Sequence, residues 1–252
     1  MPHASFYRDN TAYAAFLQNQ APTFFDKYAT TLQPRNPGAR VLDVGCGVGQ
    51  VVGRLRHLGF AAQGVDLCVP AVELAKARGL PCEIYDGRAL PFADHSFAAT
   101  GAFNVLEHVD DAVALLREMA RVTQPGGRLV VSSPNFFRVI GSRDYHPHMR
   151  GLGQKWRNAL RLREKLQQIR RAPNAVRFDA IAPISRTPLQ PDDDAITATN
   201  PLEIAFHLRR AGCRLVRVDC TDRPVPPPLE FLLNATPLKW IMLNGFVVAE
   251  KL

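Results

Sequence analysis

Val41-Leu42-Asp43-Val44-Gly45-Cys46-Gly47-Val48-Gly49 decides the reading of this 252-residue chain. An apolar run broken by one acid enters a turn with a glycine at every second position, and an amphipathic stretch, 49–58, follows. Glycines admit positive φ and let a ligand approach the backbone closely. The helix after the turn then offers unpaired N–H groups to an anionic group. A nicotinamide dinucleotide site calls for G-x-G-x-x-G. Here Gly45 and Gly47 fit, but the third place holds Gln50. By itself the loop also suits a glycine turn in an unrelated α/β protein.

Outward from this turn, short apolar runs alternate with amphipathic stretches. Residues 39–44, 61–66, 82–85, 97–103 and 127–133 read as strands, and 49–58, 69–78 and 110–122 as helices. Such alternation predicts a parallel sheet covered on both faces, and near-continuous apolar strands are what two-sided burial requires. From 134 to 200 the alternation stops, which predicts an insertion. It resumes at Asn200-Pro201-Leu202-Glu203, an N-cap, a proline at the first helical position and an acid in the capping-box position. A helix to Ala211, a stop at Gly212 and strands at 214–219 and 240–250 complete the sheet. The prolines of 224–228 argue against a crossover helix between these strands, so the last strand is expected to run antiparallel. Residues 10–32 are helical in pattern. They suit either a cap over a ligand cleft or a helix packed on the sheet edge.

Composition narrows the class. Apolar residues make up 46% and charged residues 21%, which fits a globular protein and excludes a disordered one. The most apolar run, 240–248, is too short to span a bilayer, which needs roughly 20 residues. The first ten residues lack the pattern of a secretory signal. Five cysteines at wide spacings, with no C-x-x-C, support neither a disulfide framework nor a zinc ribbon. A reducing cytoplasm is the expected compartment. The net charge of +8 is uneven: residues 138–177 hold eleven Lys/Arg against Asp144 and Glu164. The basic character belongs to that segment, so a nucleic-acid coat around the whole molecule is not expected.

Three further segments fall at strand ends, where open parallel sheets bind ligands near the switch point. Asp66 closes the second strand and can accept hydrogen bonds from both hydroxyls of a ribose; the plain alternative is a capping aspartate. Asp86-Gly87 follows the third strand and can present a carboxylate and N–H groups to an adenine edge, or form an ordinary D-G turn. Asn104-Val105-Leu106-Glu107-His108 follows the fourth strand.

Taken together, residues 38–133 closely resemble the class I S-adenosylmethionine-dependent methyltransferases, in the branch related to quinone-biosynthesis methylases; 200–252 are similar by pattern only. The resemblance implies a Rossmann-like α/β fold with a seven-stranded, mostly parallel sheet and an antiparallel last strand, and S-adenosyl-L-methionine as cofactor. It implies that Asp43, Gly45 and Gly47 line the methionine end, with Cys46 of the same loop also counted as cofactor-binding, that Asp66 holds the ribose, that Leu67 flanks the adenine with Asp86 and Gly87 at its polar edge, and that Asn104 faces the cleft. Cys46 is a modest departure that such loops tolerate. The implied organisation is one domain: a helical cap (1–37), a cofactor half (38–133), a basic insertion or lid (134–200), and a C-terminal helix with the last two strands (201–252).

The expected chemistry is methyl transfer to a small-molecule or glycan- or lipid-linked acceptor, at oxygen; the alternative is a catalytically silent protein of the same fold that binds cofactor or a partner. Holding the nucleophile about 3 Å from the methyl supplies much of the acceleration. A hydroxyl acceptor gains from a general base, and the candidates are His108, His146 and His148. His146-Pro147-His148 lies in the insertion and also suits a solvated loop, while His108, beside Asp110 at a helix start, also suits a structural role. No metal is expected, since neither His146-x-His148 with Asp144 nor the triplet Asp192–Asp194 has recognised ligand spacing, and acidic triplets in loops are usually solvated.

Residues 154–172 read as a helix with an apolar stripe of Trp156, Ala159, Leu162, Leu166 and Ile169, and with Arg157, Arg161, Lys165, Gln168 and Arg171 largely away from it. It suits an anionic membrane surface, and hence a peripheral location, an acidic or lipid-linked acceptor, RNA phosphates, or a lid with solvated charges. The acidic or lipid-linked acceptor ranks first among the functional readings, because no cluster of base-stacking aromatics accompanies the charge.

Overall fold

The computed structural model describes residues 4–141, 144–184 and 191–252. The chain opens with helices α1 (Ala4–Arg8), α2 (Thr11–Gln18) and α3 (Asp26–Thr31). It continues through β1 (Arg40–Val44), α4 (Gln50–His57), β2 (Ala61–Asp66), α5 (Val69–Ala77), β3 (Cys82–Ile84), β4 (Phe97–Phe103), α6 (Ala112–Val122) and β5 (Thr123–Pro134). The inserted segment holds α7 (Leu152–Arg171) and a two-stranded ladder of β6 (Asp179–Ala180) and β7 (Thr197–Ala198). Then come α8 (Pro201–Arg210), β8 (Cys213–Asp219), α9 (Pro227–Ala235), α10 (Leu238–Ile241) and β9 (Asn244–Lys251).

The main sheet has the order β3-β2-β1-β4-β5-β9-β8. β1 to β5 pair in parallel, and β9 runs antiparallel to both neighbours. The order reverses between β1 and β4, which places a crevice at their carboxyl ends. Alternation along the strands feeds two cores. Leu42 and Val44 join Leu116, Met119, Ile204 and Leu208 beneath α6 and α8, whereas Val41 joins Tyr28, Leu32, Val52, Leu55 and Val72 beneath α3, α4 and α5.

Local chemistry sets the helix starts. Asp111 accepts from the Ala114 N–H, so α6 begins at Ala112 rather than 110. Asn200 accepts from the Glu203 N–H, as its motif predicts. The stretch 10–32 is broken into α2, a 3₁₀ turn at Pro22–Phe25 and α3. Two expectations fail at the C-terminal end. The proline-rich connection does carry a helix, α9, because Pro227 and Pro228 occupy its first turn, where no N–H is needed. The last strand starts at Asn244, since residues 238–241 turn into α10.

Candidate cofactor crevice and acceptor pocket

The glycine turn closes on β2 through its own backbone. The Gly45 and Cys46 N–H groups donate to the Val65 carbonyl, at 2.8 and 3.1 Å. Gly45, Gly47 and Gly49 all have positive φ. At Gly45 the need for glycine is steric as well: a Cβ there would lie 2.3 Å from Val105 Cγ2. Asp66 is buried and accepts from the Gly47 N–H at 2.7 Å and the Cys68 N–H at 2.8 Å. Burial raises its carboxyl, against those backbone donors. Asp43 is buried and accepts from the Tyr28 hydroxyl at 2.7 Å; burial pushes it up to about 7 despite that bond. Cys46 is buried, and a Cβ on Gly64 would collide with its side chain.

Leu67 and Gly87 meet at the next strand end, where a Cβ on Gly87 would stand 3.0 Å from Leu67 Cδ2. Asp86 is exposed and turns back to accept from the Arg88 N–H at 2.9 Å, an Asx turn. Asn104, at φ 53, ends β4; its Oδ1 is enclosed without a hydrogen-bond partner. The N-terminal helices lie over this crevice. Ala14 packs with Val48, Cys68 and Ala71, and Leu17 covers Gly47.

Beyond β4 lies a cluster of titratable side chains that the sequence shows only in part. Glu107 is fully buried and accepts from the Ser133 hydroxyl at 2.8 Å; burial pushes its carboxyl up to about 7, although His108 opposes this. His108 Nε2 lies 3.8 Å from Glu107 Oε1, and Nδ1 lies 3.7 Å from Asp194 Oδ1 and 2.8 Å from the Tyr7 hydroxyl. Burial works against the protonated ring, but the Glu107, Asp194 and Asp192 carboxylates outweigh it and hold His108 above its ordinary value. Asp192 accepts from the Tyr145 hydroxyl at 2.5 Å. Glu107, His108 and Asp192 bring one potential ligand atom each within 4.8 Å of one another, the one such grouping among the described residues.

The acidic triplet is therefore not solvated: Asp193 and Asp194 are buried and Asp192 is half-buried. The spacing of acids could not show this, because Tyr7, His108 and Tyr145 reach them from remote parts of the chain. His146 and His148 are not a solvated loop either. His146 is fully buried with its ring edge-on to Phe136 and stacked on His148, whose carbonyl accepts from Asn158 at 2.9 Å. Burial, with Arg161 and Arg157, lowers His148.

The basic helix α7 is rotated from its expected setting. It buries Asn158, Leu162 and Lys165, while Leu152 is 88% and Trp156 is 68% exposed. Polar contacts set that rotation. The Asn158 side-chain amide donates to the Phe136, Arg138 and His148 carbonyls, and Lys165 pairs with Asp179 at 2.7 Å and Glu203 at 2.8 Å. The floor beneath, Phe136, Phe137, Met149, Ala195 and Ala198, admits only Leu162 from the apolar stripe. Among the described residues no helix is long and apolar enough to cross a membrane.

A mixed seven-stranded sheet with a glycine turn, a strand-end acid and a crevice at the switch point defines a nucleoside-binding α/β domain. The comparisons specify which. Residues 42–131 match the family model described as "Methyltransferase domain". A "Probable tRNA methyltransferase 9B" of Bos taurus is 33% identical over 132 residues, which span 50% of this chain and 27% of that protein. A "Ubiquinone biosynthesis O-methyltransferase" of Xanthomonas oryzae pv. oryzae is 38% identical over 105 residues, or 39% and 44% of the two chains. The chain thus spans less than half the length of these curated relatives. An S-adenosylmethionine-dependent methyltransferase structure from Mesorhizobium loti shares the fold over 93% of this chain and 100% of that one, with TM-score 0.57 and 18% identity. Residues 42–131 thus resemble a methyltransferase domain, and the shared fold is that of S-adenosylmethionine-dependent methyltransferases, so S-adenosylmethionine is the cofactor this likeness implies.

The residues present fit such a cofactor. It carries an ammonium, a diol and a sulfonium, and the crevice supplies buried carboxylates at Asp43 and Asp66 and an unpartnered amide oxygen at Asn104.

Proposed function

We propose that this protein methylates a hydroxyl of a small-molecule acceptor. The observation that carries the reading is the His108 group: a half-buried imidazole among carboxylates, four residues beyond Asn104, in the turn that follows the same strand. When bound, S-adenosylmethionine supplies a methyl group already activated by a positive sulfur. Asp43 holds its ammonium, Asp66 its ribose hydroxyls, and Leu67 with Gly87 the adenine. His108 Nε2 takes the acceptor's hydroxyl proton, and the Glu107 carboxylate 3.8 Å away stabilises the imidazolium so formed. Leu17 and the rest of α2 exclude water over the glycine turn.

The carboxylates also constrain the acceptor. Glu107, Asp192 and Asp194 disfavour an anion at the reacting end, so that end is a neutral hydroxyl or phenol. An acidic or lipid-linked remainder would meet the outer arginines of α7, and the same face would lie against an anionic membrane surface. One observation favours a second reading, an RNA acceptor: the similarity to a protein named as a tRNA methyltransferase, beside the exposed Trp156 and Arg157 on α7.

The test is calorimetry with S-adenosylhomocysteine followed by label transfer from methyl-labelled cofactor into cell extract. Binding is expected to weaken about tenfold or more in Asp66→Ala, since hydrogen bonds to a charged group contribute about 1.5–3 kcal/mol. Label in the solvent-extractable fraction supports the small-molecule acceptor, and label that ribonuclease releases supports RNA. Cofactor binding with no label in any fraction supports a silent binding protein and overturns the proposal.

A further inference from the structure

Three remote parts of the chain meet at His108. Tyr7 comes from α1, 101 residues before it, and Asp194 from the inserted segment. The Tyr7 hydroxyl donates to Asp194 Oδ2 and stands 2.8 Å from His108 Nδ1. Tyr7 is 5% exposed, and its ring lies edge-on to the imidazole with centroids 5.6 Å apart. Proton accounting then settles the ring. A carboxylate only accepts, so the one phenolic proton points at Asp194. The phenolic oxygen is left to accept, and the group facing it is Nδ1. In the neutral ring this makes Nδ1 the donor toward the phenol, and the Asp194 backbone carbonyl, a further hydrogen-bond partner of the imidazole, also favours a ring N–H.

We infer that Tyr7 and Asp194 are positioning residues: through the bridging phenol, Asp194 fixes His108 as the Nδ1–H tautomer and leaves the Nε2 lone pair to receive the acceptor's proton. This inference rests on the methyl-transfer reading for its function, but the tautomer itself is a property of the protein alone. Asp194 Oδ1 at 3.7 Å from Nδ1 is too far for a direct hydrogen bond, so the phenol is the required bridge. The base is thus completed by a side chain of α1.

The test uses the full-length chain with ¹⁵N-labelled histidine and long-range ¹H–¹⁵N spectra, recorded where the ring is neutral and assigned with His108→Gln. In the wild type, Nδ1 is expected to show the protonated-type shift and Nε2 the unprotonated type. In Asp194→Ala the phenolic proton is free to turn to Nδ1, so the ring moves toward the Nε2–H form. Tyr7→Phe keeps the ring and removes only the bridge. It should lower label transfer about a hundredfold while leaving S-adenosylhomocysteine affinity within about twofold, a split that a merely structural role would not give. An Nε2–H ring in the wild type overturns the inference, as does an unchanged ring in a folded Asp194→Ala or unchanged transfer in Tyr7→Phe. A wild type that binds no S-adenosylhomocysteine would instead sink the functional reading, whatever the tautomer.

Discussion

Gly45→Ala separates two costs that a glycine can conceal. At Gly45 φ is 71°, and an added Cβ would fall 2.3 Å from Val105 Cγ2. At Gly38 φ is 76°, but nothing lies within 4 Å of such a Cβ. The backbone penalty is therefore common to both, about 1–2 kcal/mol for an L-residue in the left-handed region. Only Gly45→Ala adds overpacking, which costs about 1–3 kcal/mol when a methyl enters a filled site. Gly45→Ala should therefore lose about 2–5 kcal/mol and Gly38→Ala about 1–2 kcal/mol, against a total stability of roughly 5–15 kcal/mol. Urea denaturation at 25 °C reads the difference, provided the slope m is unchanged. Val105→Ala in the Gly45→Ala background should return part of the extra loss. Equal losses at the two glycines, or no coupling with Val105, would refute the crowding argument and leave φ as the whole reason for glycine there.

Three further outcomes are expected. Asp43, Glu107 and Glu203 are each pushed up to about 7, chiefly by burial; the folded chain therefore holds protons that the unfolded chain releases near pH 4. Their contribution to stability is complete below that range and falls as pH rises toward 7, by about 1.4 kcal/mol per pH unit for each group. Asp43→Asn should remove its share of the slope in denaturation curves taken from pH 4.5 to 7. Asn158→Ala strips the amide from three carbonyls under α7 and should cost about 2–4 kcal/mol, seen as early proteolysis near 150–172. Trp156→Ala, on the exposed face of α7, should change stability by less than about 0.5 kcal/mol in the same denaturation assay.

The glycine turn, Asp66 and the strand ends were legible because their chemistry is local: a turn needs glycines at fixed spacing, and a parallel strand covered on both faces needs a continuous apolar run. The Asn200-Pro201-Leu202-Glu203 start of α8 was readable for the same reason. In the proline-rich 224–228 local chemistry serves two outcomes, since proline breaks a helix interior yet suits a helix's first turn, as in α9. The sequence by itself therefore determined the parallel strands and the crevice at their ends; the last strand runs antiparallel as expected, but the connection before it carries a helix, so its direction was decided by the tertiary structure. The sequence could not determine which face α7 buries, since Asn158 and Lys165 set that rotation through carbonyls and carboxylates from other segments. Nor could it tell that Asp193 and Asp194 leave solvent, or that His108 joins the carboxylates. Those outcomes depend on contacts between residues as far apart as Tyr7 and Asp194, and a side chain's environment at such separation exists only once the chain has closed upon itself.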